Sequence, residues 1–289
     1  MEKIDYRFYG TSNKEEFWKA RKAHPALPKS ILIKTDLVRR GVKFSDRVKR
    51  TTQDPDNNYV LTACILFGQH KEEQAELVPQ DFFLDDGTLV LVTVATDKND
   101  PYLIDIGDDG QFYAYFNDGT PLARIHFNER PSYYGKKTRS GEWMQFVGFT
   151  TGSDSVLFCP LRYCHYWSGD TQCVFCDITH NAGYQKKLGR GFKTRATPED
   201  FYDTMVEVLK DWWRWRHFLI TGGANPKDDH DREFNYHLEI IKALSQAGKD
   251  SGVERVPLFL IGSPVKHDQF VQFKEAGLDS YGIYFEIWD

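Results

Sequence analysis

Residues 197–223, TPEDFYDTMVEVLKDWWRWRHFLITGG, contain a helix signal followed directly by a strand signal. Thr197 suits the N-cap position and Pro198 the first helical position. Apolar residues then recur at helical spacing and are expected to face inward; they are Phe201, Met205, Val208, Leu209 and Trp212. The apolar run that follows ends in two glycines, which is typical of a buried strand that enters a loop. The stretch therefore predicts an amphipathic helix followed by a core strand.

The same alternation continues on both sides of this stretch. Strand-like apolar runs occupy residues 155–159, 217–223, 256–264 and 281–287, and amphipathic helical patterns lie between them. Apolar strands separated by amphipathic helices indicate a parallel sheet covered by helices, in either a βα-barrel or a doubly wound fold. A closed barrel needs six or eight such strands and the sequence provides about four, so we expect a partial barrel or a fragment of a longer protein.

The first half of the chain has a different pattern. Short apolar or alternating runs are separated by the turn pairs Asp86-Gly87, Asp109-Gly110 and Asp118-Gly119, which favour antiparallel hairpins. A helix is expected to begin at Ser12 or Asn13. The predicted organisation is an α+β, mostly antiparallel module over residues 1–150, followed by an α/β domain over residues 151–289.

The composition limits the classes of partner. Lysine and arginine number 37 against 42 acidic residues, which gives a net charge of -5. This balance argues against nucleic acid or an anionic membrane as a partner. The sequence contains neither a secretory signal nor an uncharged apolar run near 20 residues long, so we expect a soluble cytoplasmic protein.

Four of the five cysteines lie within 18 consecutive positions, 159–176. Such clustering in a reducing compartment favours a metal site over disulfides. Together the four thiols form C-x4-C-x8-C-x2-C, which suits a tetrahedral zinc site. Cys164, Cys173 and Cys176 alone form C-x8-C-x2-C, which would leave one iron of a [4Fe-4S] cluster without a protein ligand. Cys159 ends an apolar strand and is expected to be a core thiol rather than a ligand.

The surroundings of the three cysteines favour the cluster. Their segment follows the first strand of the βα series, and active sites of such folds are built at the carboxyl ends of strands. Phe175, the residue before Cys176, offers a flat apolar surface to a ligand. The next strand ends in TGGAN, where Gly222 and Gly223 allow close approach to the backbone.

With these features, residues 155–289 resemble the radical S-adenosylmethionine superfamily, specifically its biotin-synthase-related members. The resemblance rests on C-x8-C-V-F-C after the first strand, ITGGANP after the second, and FKEAGLDSYGIYFEIWD leading into the fourth. It implies a partial TIM-type barrel of that superfamily. Two departures are visible: the usual spacing is C-x3-C-x2-C, and Ala224 stands where the family often has glutamate, with Asn225 as its substitute.

The resemblance also implies a chemistry and its residues. Cys164, Cys173 and Cys176 would hold a [4Fe-4S] cluster whose open iron binds S-adenosylmethionine. Reductive cleavage of that cofactor would then give a radical that abstracts hydrogen from a small substrate. Phe175 would contact the adenine, and Glu286 the ribose or the methionine. Backbone around the glycine pair would face the methionine amino group. An electron donor such as flavodoxin or ferredoxin would be needed.

Two alternatives remain open from the sequence. One is a protein without catalytic activity that has a structural four-cysteine zinc site, and the other is an inactive remnant that keeps the cluster. The residues assign no catalytic acid, base or nucleophile.

Overall fold

The computed structural model describes residues 12–54, 59–61, 78–79, 81–91, 100–168, 173, 176, 178, 193–224 and 230–283. The chain divides into two compact units, Met1–Arg130 and Pro131–Asp289.

Six strands form the sheet of the first unit, within its described part. They are β1 (Val42–Phe44), β2 (Asp81–Leu84), β3 (Leu89–Leu91), β4 (Tyr102–Ile106), β5 (Phe112–Tyr115) and β6 (Pro121–Phe127). Their spatial order is β1-β4-β5-β6-β2-β3. Only β1 and β4 are parallel among these neighbours, so the sheet is mostly antiparallel, as predicted.

Each of the three predicted Asp-Gly turns closes a hairpin of this sheet. Gly87, Gly110 and Gly119 have φ angles of +82°, +78° and +81°, a region that side chains disfavour. The aspartates at positions 86, 109 and 118 accept hydrogen bonds from the backbone two residues further on. The turn chemistry therefore sets the strand order β2-β3 and β4-β5-β6.

Three helices accompany this sheet: α1 (Asn13–Ala23), α2 (Lys29–Arg40) and α3 (Asp46–Gln53). Helix α1 begins where predicted, but Ser12 at its N-cap makes no side-chain cap bond. The Asn13 N–H instead donates to Asp100, 2.6 Å away. Helices α2 and α3 are additions to the predicted elements. In α3 the Ser45 hydroxyl caps the helix by accepting from the Val48 N–H at 3.2 Å.

The core of the first unit combines an apolar cluster with one buried arginine. Phe17, Leu37, Phe82 and Ile104 are among its most enclosed apolar side chains. The fully buried Arg40 side chain forms ion pairs with acidic groups on three different segments; they are Glu16, Asp36 and Asp100. A buried guanidinium needs such partners because desolvation of an unpaired charge is costly.

The second unit contains a mixed sheet that curls into a half-barrel. Its strands lie side by side in chain order: β7 (Gly148–Thr151), β8 (Ser155–Phe158), β9 (His217–Ile220), β10 (Leu258–Gly262) and β11 (Leu278–Ile283). Strand β7 is antiparallel to β8, and the pairs from β8 to β11 are all parallel. Parallel strands in chain order are typical of a barrel, since a doubly wound sheet reverses its order at a switch point. The α/β class is thus confirmed.

Helices separate these parallel strands, as the sequence pattern predicts. They are α5 (Pro198–Val208), α6 (His230–Asp250) and α7 (His267–Glu275); a short α4 (Met144–Val147) precedes β7. The predicted cap of α5 is present as a reciprocal pair. The Thr197 hydroxyl accepts from the Asp200 N–H at 3.3 Å, and the Asp200 carboxylate accepts from the Thr197 N–H at 2.9 Å.

Two details of the helices differ from the predictions. Helix α5 ends at Val208, and a 3-10 helix over Leu209–Arg214 follows, so Trp212 is 37% exposed and stacks on Phe218 instead of facing fully inward. A glycine at position 248 is expected to end the helix, but it lies inside α6, and a β-carbon there would stand 2.5 Å from Val256 Cγ2. That glycine is explained by close packing and not by helix termination.

The boundary between the units lies about 20 residues before the predicted one, which was at residue 150. Strand β7 accounts for part of the difference, because it pairs with β8 through the tight turn at Gly152, whose φ is +70°, and so belongs to the second sheet. The residues before β7 contribute Tyr133, Met144 and Val147 to the core of the second unit. The change in sequence pattern marks where β8 begins, but it does not mark the start of β7, which pairs with β8 in the hairpin.

Over the described parts of the chain, no helix has both the length and the apolar content that crossing a membrane requires.

Candidate functional site

The cysteine-bearing loop begins where β8 ends and is held against the residues that follow β9. The Thr221 N–H donates to the Phe158 carbonyl at 3.0 Å, and the Gly223 N–H donates to the Leu161 carbonyl at 2.8 Å. One step further on, the His165 N–H donates to the Ala224 carbonyl at 2.9 Å. Parallel pairing between β8 and β9 thus continues beyond the strands and places Cys164 beside the glycine pair.

The glycine pair makes this close approach possible. A β-carbon on Gly222 would lie 2.7 Å from the Leu161 carbonyl oxygen, and one on Gly223 would lie 1.7 Å from the Tyr163 carbonyl oxygen and 3.0 Å from Cys164 Cα. These obstacles are backbone atoms, which cannot rotate away. Both glycines are therefore required where the loop carrying the first cysteine crosses β9, and Gly222 stays exposed to solvent.

Arg162 fixes the other flank of the same loop. Its backbone N–H donates to the Thr194 carbonyl at 2.8 Å, and its buried guanidinium donates to the Lys193 carbonyl at 3.1 Å. The guanidinium also pairs with Glu142 at 3.3 Å and donates to the Phe146 carbonyl. Leu161 forms an isolated antiparallel bridge with Arg195 in the same place. The segment before Cys164 is thus bonded on both sides.

Helix α6 contacts the start of the loop through Tyr236. The single proton of the buried Tyr236 hydroxyl is shared between two carbonyl oxygens, that of Ala196 at 2.5 Å and that of Pro160 at 3.1 Å. The Arg195 guanidinium lies over the Tyr236 ring, 3.8 Å from its centre. The adjacent His237 is buried, and burial lowers its pKa to about 4, with Arg195 acting in the same direction and Glu233 against it. His237 is therefore neutral at physiological pH.

Trp167 contacts two cysteines of the loop. A 3-10 helix over His165–Ser168 follows Cys164, and the Trp167 N–H donates to the Cys164 carbonyl at 3.2 Å. The Trp167 indole N–H donates to the Cys176 sulfur, 3.4 Å away. The Cys176 N–H in turn donates to the Cys173 carbonyl at 3.1 Å. Trp167 thus contacts both Cys164 and Cys176, the first and the last cysteine of the motif.

Cys159 is partly buried, as the other three thiols of the segment are. Burial raises its pKa to about 11, with Arg162 opposing the shift and Cys176 adding to it. Its sulfur is 3.7 Å from the Leu161 carbonyl, to which it donates. A neutral thiol that donates to the backbone is the expected state of a core cysteine.

The donor set suits a soft metal group. Cys164, Cys173 and Cys176 are all partly buried, and none lies in a disulfide. In the described part of the chain, no three His, Cys, Asp or Glu side chains are placed so that they could hold one metal ion. Thiolates of this kind ligate zinc as well as iron-sulfur clusters, so the donor set alone fits either group. The indole N–H of Trp167 lies at one of these sulfurs, that of Cys176.

The structure therefore brings together some of the predicted site residues. Cys164, Gly222, Gly223 and Ala224 meet at the ends of β8 and β9, and Trp167 connects Cys164 to Cys176. Phe175, Asn225 and Glu286 lie outside the described residues, and their roles stay predictions.

Sequence reasoning missed two residues of this site, Arg162 and Tyr236. A charged side chain directly after an apolar strand was the available signal for Arg162, since such a charge needs a partner when buried. No local signal distinguished Tyr236 from other tyrosines of an amphipathic helix.

Comparison with known proteins gives no relative. No protein-family model matches the chain, and no curated protein or solved structure does so. The case for a function rests on the residues and on their arrangement.

Proposed function

We propose that the chain is a radical S-adenosylmethionine enzyme acting on a small organic substrate, with its second unit a partial TIM-type barrel of that superfamily. Cys164, Cys173 and Cys176 would hold the [4Fe-4S] cluster. One observation carries the proposal: the loop with Cys164 leaves the carboxyl end of a parallel strand and crosses closely over the glycine pair of the next strand. Chemistry in βα folds is placed at that end of the strands.

When bound, the cluster would pass one electron to S-adenosylmethionine, whose C–S bond breaks to give methionine and a 5'-deoxyadenosyl radical that takes a hydrogen atom from the substrate. The electron would come from a small redox protein of the flavodoxin or ferredoxin class. Cys164, Cys173 and Cys176 would hold the cluster by three of its irons, and the absence of a fourth cysteine ligand from C-x8-C-x2-C would leave the fourth iron for the methionine part of the cofactor.

The chain's own residues would bind and orient the cofactor. Gly222 is exposed, so a ligand amino group can reach its backbone, while Gly223 keeps Cys164 close to that position. Phe175 is proposed to contact the adenine and Glu286 the ribose or the methionine. Ala224 carries no carboxylate for the ammonium group, and its carbonyl is already bonded to the His165 N–H, so Asn225 is proposed in that role.

Anaerobic reconstitution with iron and sulfide tests the proposal. We expect about four iron and about four sulfide per chain. After addition of dithionite and S-adenosylmethionine we expect methionine and 5'-deoxyadenosine in equal amounts. A colourless protein that holds zinc tightly would refute the proposal in favour of the structural four-cysteine site. A loaded protein that leaves S-adenosylmethionine intact would identify an inactive remnant.

A further inference from the structure

The long spacing between the first two cysteines contains a side chain directed at the third. Residues 165–172, HYWSGDTQ, separate Cys164 from Cys173, and Trp167 lies in the 3-10 helix at the start of this segment. Its ring is partly buried and its indole N–H is 3.4 Å from the Cys176 sulfur. This distance is within the range of an N–H hydrogen bond to sulfur, which is longer than one to oxygen.

The chemistry of the two groups indicates which charge state of the Cys176 sulfur makes this hydrogen bond stronger. An indole N–H can only donate, and a neutral thiol is a weak acceptor. A thiolate accepts a much stronger, charge-assisted bond. The Trp167 N–H therefore binds the Cys176 sulfur most strongly when that sulfur is a thiolate. A cysteine that ligates a metal is in this state.

The position of Trp167 is fixed independently of this bond. Its backbone N–H donates to the Cys164 carbonyl at 3.2 Å, and the helix that carries it is bonded at its start to Ala224 through the His165 N–H at 2.9 Å. The indole is consequently presented to Cys176 by backbone that is bonded to the residue after the glycine pair. A donor held in place by other contacts loses little entropy when it forms its bond.

We infer that Trp167 is a positioning residue that donates a hydrogen bond from its indole to the cluster-ligating sulfur of Cys176 and thereby raises the reduction potential of the cluster. The inference rests on the proposed function. A hydrogen bond to a ligand sulfur withdraws electron density and stabilises the more negative, reduced state of the cluster. The inference also accounts for the long spacing between Cys164 and Cys173, because the residues between them include the donor, Trp167.

The test compares reconstituted wild-type protein with the Trp167→Phe variant. Phenylalanine keeps an aromatic ring and removes the N–H. We expect Trp167→Phe to bind iron and sulfide as the wild type does, and its midpoint potential, followed by electron paramagnetic resonance, to shift to a more negative value. Trp213→Phe is the matched control, because Trp213 is 75% exposed; its potential should equal that of the wild type. A loaded Trp167→Phe variant with an unchanged potential would overturn the inference.

A second measurement uses wild-type protein alone, in case the variant loads poorly. Protein labelled with 15N in the indole of tryptophan should show a 15N hyperfine coupling to the reduced cluster, together with one exchangeable proton that is lost in D2O. Absence of both couplings would refute the bond. A wild-type protein that takes up no iron would instead refute the proposed function itself, so the two failures are distinguishable.

Discussion

The carbonyl oxygen of Tyr163 occupies the place where a side chain at Gly223 would begin. A β-carbon there would lie 1.7 Å from that oxygen, far inside van der Waals contact. The Gly223 N–H simultaneously donates to the Leu161 carbonyl at 2.8 Å. Gly223 is therefore needed for the cysteine loop to lie against β9, whether or not a ligand ever approaches it.

Gly223→Ala should consequently disturb the fold and the proposed metal site together. The loop would have to move away, and we expect a loss of about 1–3 kcal/mol in the free energy of unfolding. Iron content after reconstitution should fall as well, since Cys164 follows Tyr163 directly. Urea unfolding and iron analysis measure the two effects.

Gly262→Ala is the control for this substitution. Gly262 ends β10 on the same sheet, and a β-carbon there would approach nothing more closely than 3.4 Å. We expect little change in stability or iron content. Equal behaviour of the two variants would show that the contact between Gly223 and Tyr163 does not constrain the loop.

The individual thiols should differ in their effect on cluster binding. Cys173→Ala removes a proposed ligand, and we expect it to abolish the iron-sulfur absorption. Cys159→Ala should retain the cluster, because the raised pKa of Cys159, about 11, keeps that thiol neutral and bonded to the backbone. Absorption spectra and iron assays of the reconstituted variants decide the matter. A brown, fully loaded Cys173→Ala protein would contradict the ligand assignment.

Removal of the Tyr236 hydroxyl should weaken the support beneath the loop. Tyr236→Phe leaves the Pro160 and Ala196 carbonyls without this donor in a buried place, and we expect a cost of about 1–3 kcal/mol in unfolding free energy. Tyr202→Phe also deletes a tyrosine hydroxyl, but that hydroxyl bonds to Asp250 in an exposed position, so its cost should stay within about 0.5 kcal/mol. Denaturant unfolding of both variants checks the contrast, and similar costs would argue against a supporting role for Tyr236.

Asp200 should make the stability of the second unit depend on pH. Burial alone would raise its pKa, but hydrogen bonds from Ser140, Thr197 and Thr138, together with Lys193, lower it from 3.8 to about 2. The stabilisation is complete above pH 4 and is lost as the pH falls toward 2. We expect this carboxylate to account for a loss of about 1 kcal/mol between pH 6 and pH 3.

The measurement for Asp200 is the unfolding free energy of wild type and of Asp200→Asn as a function of pH. The asparagine variant should be less stable at pH 6, and the difference between the two proteins should shrink at pH 3. A difference that stays constant over this range would contradict the lowered pKa.

Local patterns were sufficient for much of the fold. The Thr197 cap, the Asp-Gly turns and the apolar strand runs each combine a backbone preference with a short-range hydrogen bond, and each led to the observed element. Strand β7 was missed because its four residues, GFTT, have no apolar alternation and are stabilised by pairing with β8. Helix α3 is equally short of apolar residues, since Val48 is its only buried large apolar side chain.

The features of the candidate site also divide into those that the sequence predicted and those that it did not. The cysteine spacing and the glycine pair were visible because they are compact motifs. The contacts that hold the loop were not, since they join residues far apart: Tyr236 and Pro160 are separated by 76 positions, and Arg162 and Lys193 by 31. Only the strand order brings such residues together, and periodicity says nothing about which polar side chain will meet which carbonyl.

The bonds on both flanks of the loop also bear on whether the fold of the protein depends on the proposed cluster. Leu161 and Arg162 are bonded to residues 194 and 195 on one side, and Leu161 is bonded to Gly223 on the other, through protein groups alone. These bonds need no metal. If the proposed cluster is bound, chelation should therefore remove its colour while leaving the cooperative thermal transition of the protein in place.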